Sequence, residues 1–255
     1  MTRPDVGASP RYPGADATLL GGLLPSVAVV RESRSLPREL DLYPEELAVV
    51  ASAVDKRRRE FAAVRQCARR ALSVLGQAPV PLLPGERGAP RWPAGIVGSM
   101  THCAGFAAAA LARSADLASL GVDAEPHDTL PDGVLETIAL PQEAALVARL
   151  YRQWPSVHWD RLLFCAKEAV YKAWFPLTGA WLGFEDALID IAAVPTGPAA
   201  SGAFASGTFS ARLLVPGPVV DGERTEGFTG RWRQCDGLLA AAIAVPRGGP
   251  AASAL

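Results

Sequence analysis

Apolar residues recur at helical spacing in two long stretches of this chain. From Pro44 to Leu75 the pattern predicts a helical region, as one bent helix or two. In its second part, Lys56 to Leu75, the residues Phe61, Val64, Ala68, Ala71, Leu72 and Leu75 share one face, and Gly76 is placed to end it. The second stretch, Trp159 to Phe175, holds neither Gly nor Pro; Leu162, Cys165, Ala166, Ala169, Val170 and Ala173 form its buried face and Pro176 is expected to close it. Between the two the pattern changes. QAPVPLLPGERGAPRWPAG (77–95) is too rich in Pro and Gly for regular structure, and IVGSMTHCAGFAAAALARSADLASLGVDAEP (96–126) reads as short strands. A turn at Ser114–Asp116 is expected to join FAAAALA to LASLGVDAE as an antiparallel hairpin.

A Pro-interrupted helical stretch then runs from His127 to Val157. The last third is rich in strand patterns: FEDALIDIAAV, FSARLLV, GFTGRWRQC and GLLAAAIAV, the last two joined through Asp236–Gly237. Loops such as PTGPAASGAFASG (195–207) are expected at the surface. Helix, hairpin, helix, strands in this order predict an α+β fold. No internal repeat is evident at the level of identity.

At 255 residues, 49% of them apolar, the chain can bury a core as one large domain or two lobes. A net charge of −1 argues against wholesale coating of nucleic acid. Cys67, Cys103, Cys165 and Cys235 show no C-x-x-C or Cys/His metal spacing and read as reduced thiols. The N-terminus lacks the basic region and apolar run of a secretory signal, and LLGGLLPSVAVV is too short and broken to span a bilayer, so a cytoplasmic location is expected. Residues 1–16 and 246–255 are expected to be disordered tails.

Charge chemistry concentrates in a few places. Of the 25 cationic residues only three are lysine, and Lys167 and Lys172 both fall in FCAKEAVYKAW. Lysine in so arginine-biased a chain suits a site that wants a compact, mobile ammonium. Glu168 and Lys172 share a helix face, which an ordinary i,i+4 ion pair also explains. Asp123 and Glu125, one residue apart at a strand end, point to the same side of the sheet, as a Mg²⁺ site built from few carboxylates requires and as a strand end running into water equally allows. Arg58, Arg65 and Arg69 form a stripe beside the apolar face of the first helix, with Lys56, Arg57 and Arg59 at its start: a phosphate grip, a nucleic-acid contact or a solvated face. His102, in GSMTHCAG, has no acid in zinc-hydrolase spacing.

Gly121-Val122-Asp123, then forty residues, then FCAKEAVYK from Phe164 to Lys172 resembles the bipartite signature of the 4'-phosphopantetheinyl transferases. KRRREFAAVRQCARRAL (56–72), GERGAPRWP (85–93), GSMTHCAGF (98–106) and WLGFEDA (181–187) resemble the pseudodimeric, surfactin-type group and its enterobactin synthase component D-like branch. The resemblance implies two similar α+β lobes in pseudo-twofold arrangement, residues 17–126 and 127–245, with coenzyme A as co-substrate between them. Asp123, Glu125 and Glu168 would hold Mg²⁺, or Mn²⁺, and Glu168 and Lys172 would be catalytic. Lys167 would join Lys172 at the pyrophosphate. Arg57, Arg65, Arg87 and His102 would face the 3'-phosphate and adenine, with Gly88, Pro90, Met100 and Thr101 in the same coenzyme A site. Arg87 stands where the family often has lysine. The implied partner is an apo acyl or peptidyl carrier protein, with no nucleic acid or membrane, and the implied enzyme is a monomer. The residues alone leave a Mg²⁺-dependent nucleotide hydrolase and a nucleic-acid binder as alternatives.

Overall fold

The chain builds one unit twice, and the second copy is the larger. The computed structural model describes residues 18–103, 105–194 and 204–248. The first copy runs β1 (Val29–Ser33), α1 (Pro44–Val49), α2 (Asp55–Val74), β2 (Ile96–Cys103) and β3 (Phe106–Arg113). The second runs β4 (Leu117–Pro126), α3 (Val134–Ile138), α4 (Pro141–Gln153), α5 (Trp159–Thr178), β5 (Ala187–Val194), β6 (Phe204–Leu213), a small ribbon of β7 (Val219–Val220) and β8 (Glu223–Arg224), β9 (Gly227–Cys235) and β10 (Leu238–Pro246). The sheets are ordered β1-β3-β2 and β4-β10-β9-β6-β5, antiparallel throughout. β1-β3-β2 thus corresponds to β4-β10-β9, and β5 and β6 extend only the second sheet.

This arrangement follows from strands that are apolar on both faces. In β3, Ala107, Ala109 and Leu111 pack under α2, whereas Phe106, Ala108, Ala110 and Ala112 face the other way. In β10, Leu239, Ala241, Ile243 and Val245 pack under α5, and Leu238, Ala240 and Ala242 turn to meet the β3 set. Leu120, Val122 and Ala124 of β4 and the N-terminal Leu19, Leu20 and Leu23 complete that shared core. Alanine dominates where the sheets approach, because a small side chain on each strand lets two backbones share one thin apolar layer. Trp159 of α5 packs edge-on against Trp232 of β9, ring centroids 5.3 Å apart, deep in the second lobe.

Several expectations need correction. β3 and β4 do not form a hairpin: β3 pairs with β1 and β2, and β4 crosses to β10, although it precedes residue 127. The turn at 114–116 only redirects the chain, since strands buried on both faces carry no alternation that would fix a partner. The real hairpin is β2–β3, turned at Gly105, and it repeats in β9–β10. Cys103–Ala112 (CAGFAAAALA) and Cys235–Ala244 (CDGLLAAAIA) match at six of ten positions, so a repeat is legible after all. Pro176 lies inside α5, which stops only at Gly179, because so near the C-terminus its missing N–H costs a single bond. Within 77–95, residues Glu86–Gly88 form a 3₁₀ turn.

The expected surface loop 195–207 ends inside β6, which begins at Phe204; its residues 195–203 lie outside the described residues, as do the expected tails 1–16 and 249–255. Residues 246–248 are built in, through Arg247 Nη1 and Asp221 Oδ1 at 2.6 Å. Among the described residues no helix is long and apolar enough to cross a membrane.

Candidate active site between the two long helices

At β2 and β4 the two sheets meet edge to edge without a backbone ladder. Hydroxyls replace it: Val122 N donates to Ser99 Oγ at 3.0 Å and Ala124 N to Thr101 Oγ1 at 3.1 Å. Above this seam, between α2 and α5, lies a cavity of about 560 Å³. Nine of the residues expected in the site line it: Arg57 and Arg65 from α2; Arg87, Gly88 and Pro90 from the following loop; Met100 and His102 from β2; Glu168 and Lys172 from α5. A larger cavity of about 740 Å³, between β6, β9 and the small ribbon, contains none of them.

Asp123 and Glu125 do not line this cavity; they lie on the face of β4 turned to α5, where Asp123 meets the lining residue Lys172. Gly121 makes the approach possible, since a methyl there would run into the Ala169 carbonyl and Ala173. Ser119 Oγ donates to Ala173 O at 2.8 Å one step along the same face. Helix and strand are therefore close enough for Lys172 Nζ to reach Asp123 Oδ1 at 2.6 Å. Burial works to lower the Lys172 ammonium, but Asp123 more than offsets it and its pKa lies above the usual lysine value. Asp123 Oδ1 also accepts from Thr101 Oγ1 at 3.1 Å, while its Oδ2 is buried with no hydrogen-bond partner.

Glu125 Oε2 accepts from Arg161 Nη1 at 3.1 Å, and the same guanidinium donates to the carbonyls of Asp128 and Thr129. Burial, with Asp123 beside it, lifts the Glu125 carboxyl to about 7 against the pull of Arg161. Burial also raises Glu168, with Lys172 opposing and Asp123 adding to it. Among the described residues no group of three metal-ligating side chains is gathered to hold an ion. Lys172 engages Asp123 and Arg161 engages Glu125, so these two carboxylates are turned to cations of α5.

On the opposite wall, Arg57 Nη1 donates to His102 Nε2, and His102 Nδ1 lies 3.6 Å from Glu60. Burial and the neighbouring Arg57 hold the imidazole below its usual pKa. Arg65 is more confined: its Nε donates to Leu82 O at 2.8 Å, its guanidinium lies on the Phe61 ring, and burial lowers it to about 10. Arg87 reaches across from the first lobe to lie over Trp181, 5.5 Å from the ring centroid.

Two expected residues are placed elsewhere. Thr101 is buried in the seam behind the cavity wall. Lys167 is not at the cavity: its Nζ meets Glu143 Oε2 at 2.9 Å and donates to Phe184 O and Ala187 O, which uses all three of its N–H groups. The signal was present in its helical neighbours, since Leu163, Val170 and Trp174, at i−4, i+3 and i+7, are all buried. Arg161, Tyr171 and Trp181 are not among the expected residues, and Ser99, which lacks the G-x-S-x-G setting of a nucleophile, serves the seam instead. Of these, Arg161 carries a readable cue, a cation in the first turn of a helix, where the helix dipole does not favour it.

Comparison with known proteins matches two stretches of the chain to one family. Residues 45–112 match the 4'-phosphopantetheinyl transferase N-terminal domain, and residues 119–212 match the 4'-phosphopantetheinyl transferase superfamily. The chain is 56% identical over 231 residues to 4'-phosphopantetheinyl transferase Svp of Streptomyces mobaraensis, covering 89% of each. It is 48% identical over 228 residues to 4'-phosphopantetheinyl transferase Npt of Nocardia iowensis, covering 87% of this chain and 97% of that one. Likeness to enterobactin synthase component D of Salmonella typhi is weaker and partial, 34% over 136 residues, about half of each chain. The chain belongs to the 4'-phosphopantetheinyl transferase superfamily, a family of transferase enzymes.

Proposed function

We propose that this enzyme moves 4'-phosphopantetheine from coenzyme A to a serine of an apo acyl or peptidyl carrier protein and releases 3',5'-ADP. One observation carries the reading: cations of both lobes and Glu168 line a single cavity between α2 and α5, and Asp123 stands behind its Lys172 wall. A pyrophosphate with a third phosphate on the ribose matches that charge layout. The two-lobed chain fits the pseudodimeric, surfactin-type group, acting as a cytoplasmic monomer, because both walls of the cavity come from one chain. We place the lobe boundary before β4, which pairs with β10 in the second sheet, rather than at residue 126.

In this reading Arg57, Arg87 and His102 receive the nucleotide end, against a wall formed by Arg65, Gly88, Pro90 and Met100. The carrier serine Oγ attacks the phosphorus that bears pantetheine, the bond from that phosphorus to the oxygen of 3',5'-ADP breaks, and the serine proton passes to the Glu168 carboxylate. Lys172 neutralises charge growing on the leaving phosphate. Lys167 drops out of the contact set, as a positioning group for α5.

The donors Asp123, Glu125 and Glu168 fit Mg²⁺ or Mn²⁺, being hard oxygens of which Asp123 Oδ2 is buried and unpartnered. Such an ion would neutralise pyrophosphate charge. The nucleic-acid reading loses ground because Lys56, Arg57 and Arg59 pair with Glu60 and Asp55 along α2.

Incubation with coenzyme A, Mg²⁺ and an apo carrier protein tests the proposal. A carrier mass gain of one phosphopantetheine is expected, and none with Asp123→Ala. Coenzyme A breakdown without any carrier would instead point to the hydrolase.

A further inference from the structure

Asp123 is the most confined acid of the site, 4% exposed, and its two oxygens are treated differently. Oδ1 accepts from both Lys172 Nζ and Thr101 Oγ1; Oδ2 is buried without a hydrogen-bond partner, its carboxylate close enough to the buried Cys165 thiol to help raise that thiol's pKa. A lysine ammonium is a compact point charge able to sit at either carboxylate oxygen or between them, and Lys172 sits at Oδ1. Thr101 is equally buried, at 4% exposed, and its hydroxyl is fixed at both ends: it accepts from Ala124 N of β4 and donates to Asp123 Oδ1. The residue two positions earlier on β2, Ser99, bridges the same seam through Val122 N. Only Thr101 both spans the two sheets and touches the carboxylate.

We propose that Thr101 is a positioning residue for Asp123, pinning the carboxylate so that Lys172 engages Oδ1 and Oδ2 stays open to a divalent cation. The inference rests on the reading above in which Asp123 takes such a cation. With the hydroxyl gone, the carboxylate is free to turn about its last bond, Lys172 bridges both oxygens, and the open acceptor is lost. The nucleotide wall of the cavity, formed by Arg57, Arg87 and His102, is untouched by this change.

The test compares Thr101→Val, which keeps the shape and loses the hydroxyl, with Thr101→Ser, which keeps the hydroxyl, and with Ser99→Ala, which removes the other seam bridge. Mn²⁺ binding to the full chain with coenzyme A present is followed by electron paramagnetic resonance, beside kcat, KM and melting temperature. Thr101→Val should weaken Mn²⁺ by about tenfold and lower kcat by a similar factor, the cost typical of removing a partner that orients a ligand. KM for coenzyme A should stay within about twofold in the same variant, as expected when only the metal's support is touched. Thr101→Ser should restore both, and Ser99→Ala should lower the melting temperature while leaving Mn²⁺ affinity as in the wild type.

If Thr101→Val does not fold, Thr101→Ala removes the same hydroxyl without a second methyl and takes its place. Wild-type Mn²⁺ affinity and kcat in the folded hydroxyl-free variant overturn the inference alone. Absence of Mn²⁺ uptake by the wild type overturns the metal reading of the carboxylates and the inference with it.

Discussion

Two buried glutamates, one per lobe, do the same job with different partners. Glu46 is the third residue of α1 after Tyr43-Pro44, and Glu143 the third of α4 after Leu140-Pro141. Each accepts from the backbone N–H just ahead of its helix, Tyr43 and Leu140, as the N-terminal half of a capping box does. Each also accepts from a backbone N–H far along the chain, Leu82 in one lobe and Ile189 in the other. Each then meets a cation from the long helix: Arg65 and Arg69 of α2 for Glu46, Lys167 of α5 for Glu143.

The difference lies beyond this frame. If β3 and β10 are aligned through their matching turns, Ala109 corresponds to Ala241, so the first-lobe counterpart of Asp123 is Arg31. At this one register position the first copy carries a cation and the second a carboxylate, so the repeated frame holds different chemistry in its two copies.

The sharpest way to break the comparison is to remove the anchors. Glu143→Ala leaves Lys167 buried without its counter-charge and should cost about 3–5 kcal/mol in urea unfolding. Glu46→Ala should cost less, because the Arg69 side chain keeps more contact with solvent than that of Lys167, 12% against 2%. Lys167→Met belongs to the same test: it should lower stability and leave KM for coenzyme A near that of the wild type. A tenfold rise in KM without loss of stability would restore Lys167 to the pyrophosphate and end the parallel.

On the divergent side, Glu168→Gln keeps the shape of the side chain and removes both charge and proton affinity. Single-turnover transfer should fall by roughly a hundredfold with an unchanged circular dichroism spectrum. A loss of less than about threefold would leave only an i,i+4 pair with Lys172.

A smaller effect is expected on the cationic wall. Arg57→Ala should raise KM for coenzyme A by about tenfold, the worth of a charge-assisted contact, and spare turnover of 3'-dephospho-coenzyme A. Equal loss with both substrates would move Arg57 away from the 3'-phosphate.

The smallest effect concerns His102. Its folded pKa lies below the unfolded value, so the unfolded chain binds the proton more readily. The stability this gives is fully present above the unfolded pKa and is lost as pH falls through the folded one. His102→Gln should therefore narrow the gap in melting temperature between pH 7.5 and 5.5, as read by differential scanning fluorimetry. An unchanged gap would assign the acid sensitivity to other groups.

Much of this was legible before any coordinates. Helical spacing located α2 and α5, and Asp236–Gly237 located the β9–β10 hairpin. Strand partners were not legible for β3 and β4, whose faces are both apolar and so carry no directional code. The carboxylates and the Arg57–His102 wall came from motif likeness. Family likeness puts Lys167 at the pyrophosphate beside its neighbour Glu168, yet one residue along a helix is about 100° around it, and that turn buries Lys167 against Glu143. Thr101 was read as a coenzyme A contact for the same reason, being next to His102 on a strand whose successive side chains point to opposite faces.

Gly121 carries a consequence of its own. The separation of Asp123 from Lys172 is referenced to backbone meeting backbone, strand against helix, with no side chain between them as a shim. Rotamer fluctuations elsewhere in the second lobe cannot accumulate into that spacing, much as a machined stop holds its gauge regardless of play in the rest of the mechanism. An alanine at this position would shift the datum itself, and carboxylate, ammonium and Glu168 would lose their alignment together.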